Sequence, residues 1–203
     1  MTGPHSSHPH DVRAFFGVRA AGWDAKFPHD GPAYAAGVAE LGLRPGQRVL
    51  DAGCGTGRAL PALRAAVGAH GTVLGADLTP EMLAAAVRAG RDACAGLMLA
   101  DVARLPLPSA ALDAVFAAGL ISHLADSAGG LSELARVVRP GGRLALFHPI
   151  GRAALAARKG HPLTPDDLRA EPRLRPLLAS SGWELRQYTD EDTRYLALAV
   201  RRG

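Results

Sequence analysis

Short apolar runs alternate with helical patterns through the middle of the chain. The apolar runs are four to six residues long and cover residues 48–51, 72–77, 97–100, 112–117 and 143–147. Between them, apolar positions recur at helical spacing over residues 58–68, 80–89 and 128–138. Strands that alternate with helices predict an α/β fold in which a parallel sheet carries helices on both faces.

The C-terminal end of the chain departs from this alternation. Residues 183–188 and 194–200 both have the pattern of a strand, and only a short polar stretch separates them. A parallel connection needs a crossover of about a dozen residues or more. We therefore expect these two strands to form an antiparallel hairpin.

The residues before the first strand have a different organisation. Residues 11–22 and 33–43 are predicted to be helical, with a loop rich in Gly, Pro, His and Asp over residues 23–32. A chain of 203 residues allows one compact domain. Within it, we expect residues 1–46 to be an N-terminal tail and helical lid, and residues 47–203 to be the main domain.

Composition and charge narrow the class of protein. Hydrophobic residues make up 48% of the chain and charged residues 21%, which are values of a globular protein. The net charge of +4 arises in residues 139–203, which hold 12 basic and 7 acidic residues, whereas residues 1–138 hold 11 and 12. No block of five like charges occurs. We therefore expect no nucleic-acid partner.

The sequence also predicts a cytoplasmic protein. No uninterrupted apolar run reaches the length of about 18 residues that a membrane span needs, so none is expected. The first fourteen residues lack the apolar core of a secretory signal. Two isolated cysteines, Cys54 and Cys94, do not make a disulfide framework.

A glycine-rich turn between the first strand and the next helix is the strongest chemical signal. Residues 49–57 have the sequence Val-Leu-Asp-Ala-Gly-Cys-Gly-Thr-Gly. Alternating glycines allow positive φ and a close approach of a ligand to the main chain. The helix that follows presents free N–H groups to polar parts of that ligand.

The spacing of this turn separates two ligand classes. The dinucleotide motif G-x-G-x-x-G would need a third glycine where this chain has Arg58. Asp51 precedes the glycines, and its carboxylate would repel a pyrophosphate. An amino-acid ammonium or a sulfonium suits it better. Asp77 and Asp101 follow at the ends of the next two predicted strands, where a carboxylate can accept hydrogen bonds from ribose hydroxyls or lie near an adenine.

With these motifs, the chain resembles the class I S-adenosylmethionine-dependent methyltransferases of the small ubiquinone/menaquinone-methyltransferase-like type. The similarity covers residues 47–147 and includes Arg-Val-Val-Arg-Pro-Gly-Gly at residues 136–142, which matches the family's turn before strand five. The resemblance implies a Rossmann-like seven-stranded sheet in the order 3-2-1-4-5-7-6, with strand 7 antiparallel. It also implies S-adenosylmethionine as cofactor, S-adenosylhomocysteine (SAH) as product, and no metal.

The resemblance assigns roles to individual residues. Those implied to bind the cofactor are Asp51, Gly53, Cys54, Gly55, Gly57, Asp77, Leu78, Met82, Asp101, Val102 and Ala118. Among them, Asp77 would bind the ribose, Leu78 and Met82 would lie near the adenine with Asp101 and Val102, and Ala118 would lie beside the sulfonium.

Two histidines and three aromatic residues are the remaining candidates. His123 follows the fourth predicted strand and His148 ends the fifth, so either is a candidate general base or orienting group. The alternative is a structural role, in which each histidine is a partly exposed loop residue or hydrogen-bonds to a backbone carbonyl. Phe16, Trp23 and Tyr34 precede the cofactor fold, and in similar methyltransferases such a segment closes over cofactor and substrate.

These features predict methyl transfer to a small-molecule acceptor by in-line displacement at the sulfonium methyl. Residues 117–120 lack the Asn/Asp-Pro-Pro-Tyr/Phe signature of adenine and glutamine N-methyltransferases, and no Pro-Cys pair supports cytosine C5 chemistry. The alternatives are an NAD(P)-binding oxidoreductase and a non-catalytic protein that binds S-adenosylmethionine. The acceptor, its methylated atom and the oligomeric state stay open.

Overall fold

The computed structural model describes residues 9–203, and residues 1–8 of the predicted N-terminal tail lie outside that part. One sheet has the strand order β3-β2-β1-β4-β5-β7-β6. Its strands are β1 (Arg48–Ala52), β2 (Thr72–Asp77), β3 (Gly96–Leu99), β4 (Leu112–Ala118), β5 (Val138–His148), β6 (Trp183–Glu191) and β7 (Arg194–Arg201). Strand β7 is antiparallel to both of its neighbours, so the predicted order, direction and hairpin are confirmed.

Eight α-helices accompany this sheet in the described part of the chain. They are α1 (Pro9–Gly17), α2 (Trp23–Lys26), α3 (Gly31–Glu40), α4 (Leu60–Val67), α5 (Pro80–Arg88), α6 (Ser127–Val137), α7 (Arg152–Lys159) and α8 (Glu171–Ser180). Helix α1 and the 3₁₀ turn Ala20–Gly22 contact α5, and α3 contacts α4. The N-terminal helices therefore rest on the two helices that follow β1 and β2.

The sheet is covered on both faces because its central strands are apolar at successive positions. Val49 and Leu50 of β1 point to opposite faces, and both are fully buried. On one face the core continues into α6 and α8, and Trp183 donates from its indole Nε1 to the Leu131 carbonyl at 2.9 Å. On the other face the core continues into α3 and α4.

The structure corrects the expected start of the fifth strand. Strand β5 begins at Val138, five residues before the predicted run 143–147, so the Pro-Gly-Gly sequence at residues 140–142 lies inside the strand. Val138 pairs with Leu112, and the register shifts between Leu112 and Ala114. Pairing with β4 across this irregularity therefore extends the strand through residues whose local pattern is that of a turn.

The predicted loop at residues 23–32 is also wrong in part. Trp23 begins the short helix α2, and Gly31 begins α3. The Trp23 ring packs between Phe16 and Phe27, with ring centroids 5.4 Å away in both cases. This aromatic packing orders a segment whose local composition is typical of a loop. No helix in the described residues is long and apolar enough to cross a membrane.

Candidate functional site

The glycine turn, residues 53–57, lies at the carboxyl end of β1 in a conformation that needs glycine. Gly53, Gly55 and Gly57 have φ values of +68°, +55° and +80°. A Cβ atom on Gly53 would lie 2.9 Å from Cδ1 of Leu120, and one on Gly57 would lie 2.7 Å from Cδ1 of Leu60. All three glycines therefore have a backbone conformation that favours glycine, and a Cβ on Gly53 or Gly57 would in addition displace the end of a leucine side chain.

Asp51 is a buried carboxyl with an unsatisfied oxygen. The residue is 2% exposed, and its Oδ1 has no hydrogen-bond partner among residues 9–203. Burial, with a further contribution from the charge of Asp77, raises the pKa of Asp51 to about 8. An orphaned buried carboxyl oxygen is costly, and a cationic or hydrogen-donating ligand would relieve that cost.

Asp77 connects the end of β2 to the glycine turn. Its Oδ2 accepts a hydrogen bond from the Gly55 N–H at 2.7 Å, and its Oδ1 accepts one from the Thr79 N–H at 2.8 Å. Burial raises the pKa of Asp77, and these two hydrogen bonds oppose the rise. Each oxygen retains a second lone pair with which it can accept from a ligand.

Two of the predicted cofactor residues have buried side chains within or next to the glycine turn. Cys54 is buried, and its Sγ lies 3.1 Å from where a Cβ on Gly75 would be, so it packs in space that this glycine leaves. Burial raises the pKa of the Cys54 thiol. Met82 is 1% exposed, with its Sδ 4.0 Å from the corresponding Cβ position on Gly55.

The other predicted cofactor residues follow the neighbouring strands. Leu78 comes directly after β2 and is half-buried. Asp101 lies two residues beyond β3 and accepts a hydrogen bond from the Ala103 N–H at 2.9 Å, while the side chain of Val102 belongs to the core. Ala118 is the last residue of β4 and is half-buried. The structure thus brings the predicted set to one edge of the sheet.

Both predicted histidines lie at the same edge. His123 ends the 3₁₀ turn after β4, and His148 ends β5 with its Nδ1 2.9 Å from the carbonyl oxygen of Ile150. Burial, assisted by the positive charges of Lys159 and Arg169, lowers the pKa of each histidine to about 4. Both imidazoles are therefore neutral at pH 7.

The predicted aromatic residues lie in two separate places. The Phe16 ring packs edge-on against His123 at 5.0 Å between centroids and against Trp23 at 5.4 Å, so these two aromatics adjoin a candidate catalytic histidine. Tyr34 instead packs 5.3 Å from the ring of Phe147 in the second core face. Burial raises the pKa of the Tyr34 phenol to about 12.

Several polar residues around the glycine turn were not predicted from the sequence. Asp24 accepts a hydrogen bond from the Thr56 hydroxyl at 2.6 Å, and Arg91 forms an ion pair with Asp24 at 2.6 Å. Arg58 forms an ion pair with Asp30 at 3.2 Å. No periodicity links residues this far apart in sequence. The one available signal was the presence of Thr56 and Arg58 within and directly after the glycine motif.

Comparison with known proteins finds methyltransferases. A family model described as a methyltransferase domain matches residues 50–146. The demethylmenaquinone methyltransferase of Mycobacterium sp. (strain KMS) is 32% identical over 182 residues, which cover 86% of this chain and 74% of that protein. The 27-O-demethylrifamycin SV methyltransferase of Amycolatopsis mediterranei (strain S699) is 38% identical over 110 residues, covering 52% of this chain and 40% of that protein.

A solved structure shows the same fold. The magnesium protoporphyrin IX methyltransferase of Synechocystis PCC 6803 with bound SAH superposes with a TM-score of 0.71 at 22% identity, covering 96% of this chain and 100% of that one. Several curated relatives are much longer than the aligned region, since this chain spans 32%, 41% and 40% of the length of three of them.

The strand order, the glycine turn and the acids at the carboxyl edge together define a nucleoside-binding α/β protein of Rossmann-like architecture. The chain belongs to the class I S-adenosylmethionine-dependent methyltransferase family. S-adenosylmethionine is accordingly the cofactor of this family. The residues present fit it, because the orphaned oxygen of Asp51 suits a cation and the positive-φ glycines admit a ligand to the backbone.

Proposed function

We propose that the protein transfers the methyl group of S-adenosylmethionine to a small-molecule acceptor. The observation that carries this proposal is the buried, unpartnered oxygen of Asp51 beside the glycine turn. A pyrophosphate would place its negative charge beside Asp51 and Asp77 and oppose ionisation of Asp51, whereas the ammonium of an amino-acid-bearing cofactor would favour the ionised form and pair with it. The geometry therefore supports a sulfonium cofactor over a dinucleotide.

The other cofactor contacts are proposed from their positions. Asp77 accepts hydrogen bonds from the ribose hydroxyls with its remaining lone pairs, and Asp101 lies near the adenine amino group. Leu78 and Met82 line the adenine region, together with Val102 of the core. The positions of these residues along successive strand ends support this assignment.

His148 is proposed as the group that takes a proton from the acceptor. The Nδ1 atom lies 2.9 Å from the Ile150 carbonyl oxygen and 3.2 Å from the Ile150 backbone nitrogen. We assign the ring proton to Nδ1, as a donor to the nearer carbonyl oxygen, and this tautomer leaves a free lone pair on Nε2. The Cδ2 atom next to Nε2 lies 3.9 Å from where a Cβ on Gly119 would be, so this edge of the ring faces the end of β4. When bound, S-adenosylmethionine supplies an electrophilic methyl group. His148 positions the acceptor and accepts its proton.

His123 and the aromatic residues around it are proposed as the wall of the acceptor site. Phe16 contacts both His123 and Trp23, so these three rings form one continuous surface. An apolar and aromatic wall of this kind excludes water from the reacting groups. We propose that residues 1–46, which supply Phe16 and Trp23, cover the site. We also propose that the enzyme is cytoplasmic.

A methyl-transfer assay tests this function. The protein is incubated with S-adenosylmethionine and a panel of small phenols, hydroquinones, carboxylic acids and amines, and SAH formation is measured. We expect acceptor-dependent SAH formation, which Asp51→Asn reduces strongly. Binding of S-adenosylmethionine without transfer to any acceptor of the panel would instead favour a non-catalytic binding protein.

A further inference from the structure

Three residues close a polar ring between helix α2 and the glycine turn; we name it the Asp24 ring. The Thr56 hydroxyl donates to Oδ1 of Asp24 at 2.6 Å, and Nη1 of Arg91 pairs with Oδ2 of the same carboxylate at 2.6 Å. Arg91 Nη1 also donates to the Thr56 carbonyl oxygen at 2.6 Å. Each residue of the ring therefore contacts the other two.

A second polar contact joins the residues that follow α2 to the residue that follows the glycine turn. Arg58, which directly follows the glycine turn, forms an ion pair with Asp30 at 3.2 Å and donates to the carbonyl oxygen of Phe27. The side chains of Arg58 and Asp30 are 10% and 27% exposed. Partial burial of this kind makes a charge pair less screened than one on the surface.

Thr56 gives these contacts a direct connection to the cofactor site. It lies between Gly55 and Gly57, is 2% exposed, and commits both its hydroxyl and its carbonyl to the Asp24 ring. Cδ of Arg91 also lies 3.3 Å from where a Cβ on Gly57 would be. The conformation of the turn and the position of α2 are thus held by the same atoms.

We infer that Asp24 is a positioning residue for the cofactor, acting through Thr56 and Arg91, so that cofactor binding and ordering of residues 16–30 stabilise each other. This inference rests on the proposed function, because the glycine turn is taken as the cofactor loop. Coupling of this kind is reciprocal: if the Asp24 ring orders the turn for the cofactor, the bound cofactor must order the segment that carries Asp24. The N-terminal segment then contributes to cofactor affinity as well as covering the acceptor site.

Graded substitutions test this inference. Asp24→Asn keeps an acceptor for the Thr56 hydroxyl but removes the ion pair with Arg91, whereas Asp24→Ala removes both. The matched control is Asp92→Asn, since Asp92 is exposed and lies next to Arg91 in the turn Arg91–Ala93. The dissociation constant of SAH is measured by calorimetry, and amide hydrogen exchange of residues 16–30 is measured with and without SAH.

We expect Asp24→Ala to weaken SAH binding by about 5- to 30-fold, with Asp24→Asn intermediate and Asp92→Asn unchanged. Thr56→Val, which replaces the hydroxyl with a methyl group, should weaken binding in the same direction. Arg91→Gln added to Asp24→Ala should cost less than the product of the two single effects. SAH should protect residues 16–30 from exchange in the wild type and much less in Asp24→Ala.

Failure of this inference can be distinguished from failure of the proposed function. If Asp24→Ala binds SAH within twofold of the wild type and SAH leaves exchange of residues 16–30 unchanged, the inference is wrong while the proposed function stands. If the wild type binds no SAH, the proposed function fails, and the inference fails with it. Hydrogen exchange of the ligand-free variants then still shows whether Asp24 holds the segment on the turn.

Discussion

The Asp77 carboxylate accepts a hydrogen bond from the backbone N–H of Gly55 at 2.7 Å. This bond joins the end of β2 to the turn that follows β1, so two strand ends act as one unit. The same carboxylate also accepts from the Thr79 N–H at 2.8 Å. Asp77 therefore shapes the backbone of the site in addition to the ribose contact that we propose for it.

The glycine turn gives the first prediction. Gly57→Ala combines a positive φ of +80° with a Cβ 2.7 Å from Leu60, so it should weaken SAH binding at least about tenfold and lower the free energy of unfolding by about 2 kcal/mol. Gly46→Ala is the matched control, because Gly46 has a φ of +85° and no atom within 4 Å of the added Cβ. It should lower stability by about 1 kcal/mol and leave SAH affinity unchanged. Equal losses of affinity in both variants would show that the glycine turn has no specific role in cofactor binding.

Proton release on cofactor binding gives the second prediction. The pKa of Asp51 is about 8 in the free protein, so the carboxyl is mostly protonated at pH 7. A bound ammonium favours the ionised form and lowers that pKa, so binding should release close to one proton at pH 7. Calorimetry of SAH binding in buffers of different ionisation enthalpy measures this number.

Asp51→Asn is the control for that experiment. The amide has no proton to release, so the buffer dependence should vanish while affinity falls about tenfold or more. Buffer-dependent proton release that persists in Asp51→Asn would show that another group is responsible.

The proposed base gives the third prediction. Because the pKa of His148 is about 4, kcat should stay level above pH 5 and fall only at lower pH. His148→Gln should lower kcat by about 10²- to 10⁴-fold with an acceptor that must lose a proton, and leave the Kd of SAH unchanged. An acceptor that is already ionised should lose much less. A similar loss for both kinds of acceptor would assign His148 a structural role.

Acid stability gives the fourth prediction. The pKa of His123 and of His148 is about 4 when folded, against an ordinary value of about 6.5 when unfolded. The contribution of the two histidines to the free energy of unfolding is therefore fully present above pH 6.5. It is lost as the pH falls toward 4, because the unfolded chain then binds protons that the folded protein does not. The raised pKa of Asp51 acts in the opposite direction, since its contribution is lost as the pH rises toward 8.

Difference measurements separate these effects. The free energy of unfolding of the wild type, relative to His123→Gln/His148→Gln, should fall by an amount on the order of 2 kcal/mol per histidine between pH 7.5 and 4.5. Asp51 is common to both proteins and cancels in the difference. A pH-independent difference would show that the two rings do not stay neutral in the folded protein.

Most of the sheet was predictable because its strands are buried on both faces. The apolar run 72–77 coincides with β2, and loop length alone led to the hairpin of β6 and β7. The early start of β5 was not predictable in this way. Val138 belongs to the strand because it pairs with Leu112, and this pairing joins distant parts of the chain.

The candidate site likewise contains residues that the sequence predicts and residues that it does not. Asp51, Asp77 and the glycines follow strands, so their meeting at one edge could be inferred from topology. Asp24 and Thr56 are 32 residues apart and share no motif, so only the folded chain shows their contact. The sequence likewise carries no sign that one oxygen of Asp51 lacks a partner.

Calorimetric titration of the protein with S-adenosylmethionine, SAH and NAD distinguishes a site for a sulfonium cofactor from a site for a dinucleotide. We predict that both sulfur-containing nucleosides bind at one site with 1:1 stoichiometry, that they compete with each other, and that NAD does not bind there. Binding of NAD without binding of either S-adenosylmethionine or SAH would contradict this prediction.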